Sequence, residues 1–192
     1  MRVVAKFGGT SLGSGERINR AADSIAKAVE EGHEVAVVAS AMGSTTDDLL
    51  EEIQFETSDK DRAEIVSMGE RTSVRMLKAA LSARGVEATF LEPGSEEWPV
   101  ITNELGEVDV EATADRAAEL ADRLDGVVPV VAGFLAQTAD GSVTTLGRGG
   151  SDTTAVMLGK YMNADEVVIV TDVEGVMTGD PRVVEGARNV GR

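Results

Sequence analysis

Short runs of β-branched residues alternate along this chain with stretches of helical periodicity, and this alternation restricts the fold more than any other feature. The predicted strands cover residues 2–7, 34–39, 86–91, 127–132 and 166–170. The run at 127–132 is almost continuously apolar, which is typical of a central strand in a parallel sheet that is covered on both faces. A hairpin is predicted around Ala139-Asp140-Gly141. We therefore predict an α/β fold with a mainly parallel sheet.

Two glycine-rich turns each precede a predicted helix. One runs from Gly8 to Gly15 after the first strand, and the other runs from Thr144 to Thr154. Glycines let the backbone approach a ligand closely, and the N–H groups at a helix start attract anions. Lys6 adds a point charge to the first turn, and Arg148 adds a planar guanidinium to the second. Both turns are predicted to bind an anion; for the second turn alone, an ordinary loop with Ser151 as N-cap is an equal alternative.

Neither turn matches the two commonest phosphate-binding fingerprints. A P-loop ends in Gly-Lys-Ser/Thr, whereas the first turn ends in Gly15-Glu16. The dinucleotide pattern GxGxxG fails because Ile18 and Asp152 occupy the positions of its final glycine. The lysine of this chain therefore precedes its glycines instead of following them.

The charge and the apolar content of the chain exclude several classes of protein. The net charge of −16 argues against a nucleic-acid partner, because the phosphate backbone needs a basic surface. The longest apolar run, at 127–136, is about half of the ~20 residues that a membrane helix needs, and the N-terminus lacks the apolar stretch of a signal peptide. Cysteine is absent, which suits a cytoplasmic protein. We expect one domain with a single core.

The acidic residues are dispersed over predicted helix faces, while the chain has five lysines and 3% aromatic residues. This pattern indicates a halophilic surface, one adapted to high salt, where repulsion between acids is screened. An ordinary acidic cytosolic protein is the alternative.

Polar residues follow the predicted strands where each ends. They are Lys6 with Gly8-Gly9, Ser40, Gly133-Phe134 and Thr171-Asp172. In parallel sheets ligands bind at the carboxyl ends of the strands, so these residues are predicted to converge on one crevice. Within the long helix predicted to end near Ala83, Gly69 costs about 1 kcal/mol relative to alanine, which indicates a close approach or a kink. Considered by itself, the neighbouring Glu70 is expected to be a solvated surface acid.

Six motifs occur in the order found in aspartate kinases. They are Lys6-Phe7-Gly8-Gly9-Thr10-Ser11, Ser40-Ala41-Met42-Gly43, Met68-Gly69-Glu70, Gly133-Phe134, Thr145-Leu146-Gly147-Arg148-Gly149-Gly150-Ser151-Asp152 and Thr171-Asp172-Val173-Glu174-Gly175-Val176. The chain resembles this family over essentially its whole length. The first and fifth motifs together separate it from the glutamate, acetylglutamate and uridylate kinases of the same fold. The resemblance implies the amino acid kinase fold, a three-layer architecture with an open, mainly parallel sheet between helices. Aspartate kinases continue beyond residue 192, so the resemblance also implies that residues 1–192 are a C-terminally incomplete catalytic domain without regulatory ACT domains.

The same resemblance implies the reaction. It is transfer of the γ-phosphoryl group of ATP, with Mg²⁺ carried by the nucleotide and no metal site of the protein, to the side-chain carboxylate of L-aspartate. The product would be 4-phospho-L-aspartate, the first intermediate of lysine, threonine and methionine biosynthesis, and the enzyme would be a homodimer. A carboxylate is already ionised at neutral pH, so the reaction needs positioning and charge neutralisation rather than a general base.

The resemblance assigns roles residue by residue. Lys6 and Asp152 would be catalytic, with Asp152 orienting Lys6, and the phosphate would bind Gly8, Gly9, Thr10 and Ser11. The aspartate pocket would contain Ser40, Thr45, Glu70, Phe134, Arg148, Gly149, Gly150 and Ser151. Within that pocket Glu70 would hold the substrate ammonium and Arg148 a carboxylate. The nucleotide would contact Thr171, Asp172, Asp180 and Arg182.

Two other functions remain open at this point. The chain could be a kinase of the same fold that phosphorylates another small acid. It could also be a non-catalytic fragment that binds ligands or a partner subunit without turnover.

Overall fold

The computed structural model describes residues 1–103, 105–124, 126–171, 186 and 188. The predicted nucleotide-contacting residues Asp172, Asp180 and Arg182 lie outside these ranges. The strands are β1 (Arg2–Phe7), β2 (Glu34–Ala39), β3 (Ala88–Leu91), β4 (Ile101–Thr102), β5 (Val128–Ala132), β6 (Leu135–Thr138), β7 (Val143–Thr145) and β8 (Glu166–Val170). The helices are α1 (Gly9–Leu12), α2 (Gly15–Glu30), α3 (Thr45–Glu52), α4 (Asp59–Ser82), α5 (Val110–Asp122) and α6 (Gly150–Tyr161).

Five strands form a parallel sheet in the order β3-β5-β2-β1-β8. Helices α2 and α4 pack against each other on one side of it, and α5 and α6 pack together on the other. Strands β2 and β5 are buried along almost their whole length because they lie inside the sheet and are covered on both faces. The predicted α/β fold with a mainly parallel sheet between helices is therefore confirmed.

A second, smaller sheet has the order β4-β6-β7. Strands β6 and β7 form the predicted antiparallel hairpin, whereas β4 pairs with β6 in parallel. Strand β4 was not among the predicted strands, because two residues are too few to show strand periodicity. Trp98 is fully buried, and its indole N–H donates to the Val100 carbonyl at 2.8 Å.

Helix α2 shows how local sequence and tertiary packing agree. Ser14 caps it by accepting a hydrogen bond from the Arg17 amide, and Ile18, Ala22 and Ile25 recur at helical spacing and are buried. Helix α1 occupies part of the stretch predicted to be a glycine loop. It is a single turn, in which the amides of Ser11 and Leu12 donate to the Gly8 carbonyl.

In the described part of the chain, no helix is both long and apolar enough to cross a bilayer.

The strand register positions the site. The last residues of β1, β2 and β5 are Phe7, Ala39 and Ala132, and each pairs with its neighbour across the sheet. The residues that follow them are Gly8, Ser40 and Gly133. These three therefore stand side by side at the carboxyl edge of the sheet, where the sequence predicted a ligand.

Candidate active site

A cavity of about 620 Å³ opens at this edge of the sheet, between the strand ends, the hairpin, α3, α4 and the start of α6. It brings together nine of the residues predicted for catalysis and substrate binding: Lys6, Ser40, Glu70, Phe134, Arg148, Gly149, Gly150, Ser151 and Asp152. The predicted convergence of distant strand ends on one crevice is thus observed for this group.

Lys6 and Asp152 form an ion pair at the floor of the cavity. The Lys6 ammonium lies 2.7 Å from Asp152 Oδ1, and the Lys6 residue is 9% exposed. Asp152 occupies the first turn of α6, where the helix dipole also favours a carboxylate. The carboxylate fixes the position of the ammonium, while the half-exposed side of Asp152 faces the cavity. The pair therefore presents a held positive charge at the carboxyl end of β1.

Glycine is required in the second turn for two different structural reasons. Gly147 and Gly149 have φ values of +73° and +77°, the left-handed conformation that side chains rarely adopt. Gly150 is required by contact instead, since a Cβ there would lie 3.0 Å from Leu146 Cβ and from the Phe134 ring. Together they let the backbone turn sharply into α6 and leave the Arg148 side chain exposed at the cavity.

Phe134 has a φ of +66°, which is unusual for a bulky residue. The turn is closed by the Leu135 amide, which donates to the Gly133 carbonyl at 2.7 Å, and by the Leu146 amide, which donates to the Phe134 carbonyl at 2.8 Å. Gly133 itself is pressed against Ser151, because a Cβ at this position would lie 2.6 Å from Ser151 Oγ. Backbone strain of this kind clusters at functional sites, and here it lies in the wall of the cavity.

Glu70 is 3% exposed, so the expectation of a solvated surface acid was wrong. The reason is the neighbouring Gly69, where a Cβ would lie 2.8 Å from Ala41 Cβ, so that α4 packs directly against the turn after β2. The predicted close approach at Gly69 is thereby confirmed. The Ala41 amide donates to Glu70 Oε1 at 3.2 Å, while Oε2 is buried without a hydrogen-bond partner among the described residues.

Burial raises the pKa of the Glu70 carboxyl to about 7, against the opposing effect of the hydrogen bond from the Ala41 amide and of the nearby Thr46 hydroxyl. A buried, half-satisfied carboxyl in a cavity is suited to accept a cationic group such as an ammonium.

Thr45 does not line the cavity. Its hydroxyl donates to the Met42 carbonyl at 2.6 Å, and the next residue, Thr46, faces the cavity and Glu70 instead. The sequence places two threonines at the start of a helix, and nothing local indicates which of them points inward.

Arg62 also lines the cavity, and it was not among the predicted site residues. Its spacing of eight residues from Glu70 places both on one face of α4, and this was the available signal.

The predicted phosphate-binding residues lie beside the cavity rather than in it. A Cβ at Gly8 would lie 3.3 Å from the Lys6 ammonium, and the Gly8 amide donates to the Val170 carbonyl at 3.3 Å. Gly9 packs against the turn after β2. Thr10 and Ser11 line a second cavity of about 340 Å³ together with Thr171, the described member of the predicted nucleotide-binding set. Arg17 and Arg20, which belong to none of the predicted sites, line it too. In the described residues no cluster of three or more histidine, aspartate or glutamate side chains could hold a metal ion.

Comparison with known proteins gives one consistent relationship. The Amino acid kinase family matches the chain over residues 1–192. Aspartokinase 2 of Bacillus subtilis (strain 168) is 40% identical over 193 residues, which cover 98% of this chain and 46% of that protein. Aspartate kinase of Pseudomonas putida is 42% identical over 191 residues, again covering 98% of this chain and 46% of the relative. The chain therefore spans about half the length of the curated relatives that it matches.

Solved structures agree with the sequence relatives. The crystal structure of E. coli aspartokinase III in complex with aspartate and ADP superposes with a TM-score of 0.83 at 31% identity, over 99% of this chain and 53% of that one. The aspartate kinase from Synechocystis gives a TM-score of 0.78 at 36% identity, over 97% of this chain and 31% of that one. The match over all 192 residues and the shared parallel sheet lead to one conclusion: the chain belongs to the amino acid kinase family.

Proposed function

We propose that this chain carries the acceptor site of an aspartate kinase, which transfers the γ-phosphoryl group of MgATP to the side-chain carboxylate of L-aspartate. The observation that carries the proposal is one cavity in which the Lys6–Asp152 ion pair, the buried Glu70 and the exposed Arg148 meet. The similarity to proteins named aspartokinases, including one solved with aspartate and ADP, supports the same acceptor.

The three charged groups of aspartate match three features of the cavity. Glu70 Oε2 has no partner among the described residues and is proposed to accept the substrate ammonium. Arg148, whose side chain has no ion pair in the described ranges, is proposed to bind the α-carboxylate through its planar fork. The side-chain carboxylate is then directed toward Lys6.

The reaction needs no proton transfer to begin. A side-chain carboxylate oxygen attacks the γ-phosphorus, the bond from that phosphorus to the β–γ bridging oxygen breaks, and ADP leaves with the electron pair. Lys6 is proposed to neutralise charge on the transferring group, and Asp152 is proposed to hold the Lys6 ammonium in position. Misplacement of such groups by about 1 Å can cost 10²-fold in rate, which explains the need for a fixed ion pair.

The nucleotide is proposed to lie on the side of the second cavity, with its phosphates toward Gly8, Gly9, Thr10 and Ser11. Thr171 lines that cavity, and the sequence motif continues into Asp172 and then Asp180 and Arg182. Mg²⁺ would arrive with the nucleotide as part of the substrate. The enzyme is further proposed to be a cytoplasmic homodimer, which sedimentation analysis of the full-length gene product would test.

ADP formation by the full-length gene product tests the proposal, with L-aspartate, L-glutamate, N-acetyl-L-glutamate and UMP as acceptors at matched high salt. We expect aspartate to be the preferred acceptor and hydroxylamine to trap an acyl phosphate. Succinate, which lacks the ammonium that Glu70 would bind, should be a much poorer acceptor. A faster reaction with another acid would assign the chain to another substrate of the fold. ADP formation with none of them would favour the non-catalytic alternative.

A further inference from the structure

The cavity extends well beyond the space that the Lys6–Asp152 pair and Glu70 enclose. Arg62, Val66 and Glu70 are spaced by four residues on one face of α4, and all three line the cavity. At 1.5 Å per residue, Arg62 lies roughly 12 Å along the helix from Glu70. Helical side chains all lean toward the N-terminus, so the side chains of Arg62 and Glu70 lean the same way and keep about this separation. A four-carbon amino acid held at Glu70 does not span that distance.

We call the far part of the cavity the outer chamber, defined by Asp47, Leu50, Asp59, Arg62, Ala63 and Val66. Its wall combines two kinds of surface. Ala63 and Val66 of α4 are buried and apolar, and Leu50 of α3, which lines the same cavity, is 39% exposed. None of the eight residues of α3 is buried, so this helix covers the chamber without a packed core beneath it. The apolar wall is therefore incomplete in the described residues.

The charged groups of the outer chamber have no partners in the described part of the chain. Every other arginine side chain in the described residues makes a hydrogen bond, an ion pair or another interaction, whereas Arg62 and Arg148 make none. Both of these arginines line the same cavity, although acids outnumber bases by 34 to 18 in the chain. The side chains of Asp47 and Asp59, which also line the outer chamber, likewise lack a hydrogen bond or ion pair within the described ranges.

A guanidinium, nearby carboxylates and an apolar wall define a chemical class of ligand. We propose that the outer chamber binds a second small molecule, an α-amino acid with an aliphatic side chain. Its carboxylate pairs with Arg62, its ammonium pairs with Asp47 or Asp59, and its side chain packs on Leu50 and Val66. This site is separate from the proposed acceptor site and does not depend on the reaction there. Because its ion pairs are solvent-exposed, we expect an affinity in the range of about 0.1–10 mM.

Calorimetric titration of the full-length gene product with L-leucine tests the inference. Wild-type protein should bind leucine, and glycine, which has the same charges without the side chain, should bind at least about tenfold more weakly. Leucinamide, which lacks the carboxylate, and N-acetyl-L-leucine, which lacks the ammonium, should be weakened to a similar extent. Failure of leucine to bind at 20 mM, or equal binding of all four compounds, would overturn the proposal.

Two substitutions locate the binding within the cavity. Arg62→Gln should weaken leucine binding about tenfold, while Lys78→Gln, which removes the same charge on α4 outside the cavity, should leave it unchanged. Glu70→Gln should weaken aspartate binding but leave leucine binding within twofold. Leucine binding that ignores Arg62→Gln, or that aspartate displaces competitively, would refute a separate outer site. These titrations need no turnover, so a failed kinase assay would reject the proposed function without deciding this inference.

Discussion

Glu70 illustrates at the scale of one residue how burial sets both stability and chemistry. With a pKa near 7 in the folded protein and about 4.3 when unfolded, its carboxyl binds more protons in the folded state between those values. Its stabilising contribution is therefore complete below about pH 4 and is lost as the pH rises through 7. An ammonium bound at Oε2 would reverse this preference by favouring the ionised carboxylate.

The neutral variant Glu70→Gln should consequently be more stable than the wild type at pH 8, by roughly 3 kcal/mol, and should differ by less than about 1 kcal/mol near pH 4–5. Urea unfolding at several pH values measures the difference. Glu87→Gln, outside the cavity, serves as a control and should show no comparable change between pH 5 and 8. A Glu70→Gln variant that is equally destabilised at both pH values would show that the carboxyl is ionised in the folded protein.

Lys6 makes the second prediction at this scale, under the proposed function. Lys6→Ala removes the ammonium held by Asp152, and we expect kcat to fall about 10²-fold or more, because one preorganised charge at the developing anion is typically worth ~3 kcal/mol. ATP affinity should fall much less. Steady-state kinetics of the full-length gene product, with the surface variant Lys27→Ala as control, measure both quantities. Equal losses of ATP affinity and rate would instead assign Lys6 to nucleotide binding.

Among the elements, the turn after β2 is packed closely on two sides. It lies between Gly9 of α1 and Gly69 of α4, and a Cβ at Gly9 would lie 2.8 Å from the Gly43 carbonyl oxygen and 3.0 Å from that of Ala41. Both obstacles are backbone atoms, which cannot rotate away as a side chain could. The same turn provides the Ala41 amide that holds Glu70, so packing here is linked directly to the cavity.

We therefore expect Gly9→Ala to destabilise the fold by about 1–3 kcal/mol, although alanine is normally the better helix former. Gly15→Ala is the matched control, because Gly15 begins α2 and a Cβ there would meet nothing within 4 Å. The control should be neutral or stabilising by up to ~1 kcal/mol. Denaturation midpoints in urea compare the two variants. If the Gly9→Ala protein is as stable as the control, the turn after β2 can shift to admit the Cβ without a loss of folding free energy.

The elements also show which features of the fold can be predicted from the local sequence. The strands of the main sheet were predictable because β-branched runs report burial directly, and Lys6 with the glycines that follow was recognisable as a motif. Strand β4 was not, because its pairing with β6 is a tertiary contact of two residues. The inward direction of Thr46 depends on the rotational phase of α3, and the burial of Glu70 depends on how α4 docks; neither is encoded in its immediate neighbours.

At the scale of the whole molecule, the net charge of −16 acts against the folded state. The screening length falls from about 10 Å at 0.1 M salt to about 3 Å at 1 M, which suppresses most repulsion between dispersed surface acids. Most described ion pairs have at least one solvent-exposed partner, so each contributes little stability for salt to screen away.

The melting temperature should accordingly rise as KCl increases from 0.1 M to ~3 M. Scanning calorimetry or circular dichroism measures it, and a parallel series in sucrose distinguishes charge screening from a general effect of excluded cosolutes. A melting temperature that does not change with KCl would show that the acidic surface does not limit stability.

The position of β1 has a consequence for synthesis of the protein. Its outer neighbour in the sheet is β8, whose first residue is Glu166. Asp152, the ion-pair partner of Lys6, is also translated long after β1. At about 5–20 residues per second, roughly 10–30 s separate translation of the first strand from that of the last one beside it. During that interval the apolar edge of β1 has no β8 to cover it. We therefore expect the ribosome surface or a chaperone to shield the first strand of the nascent chain, and rare codons before residue 166 to lengthen the exposure.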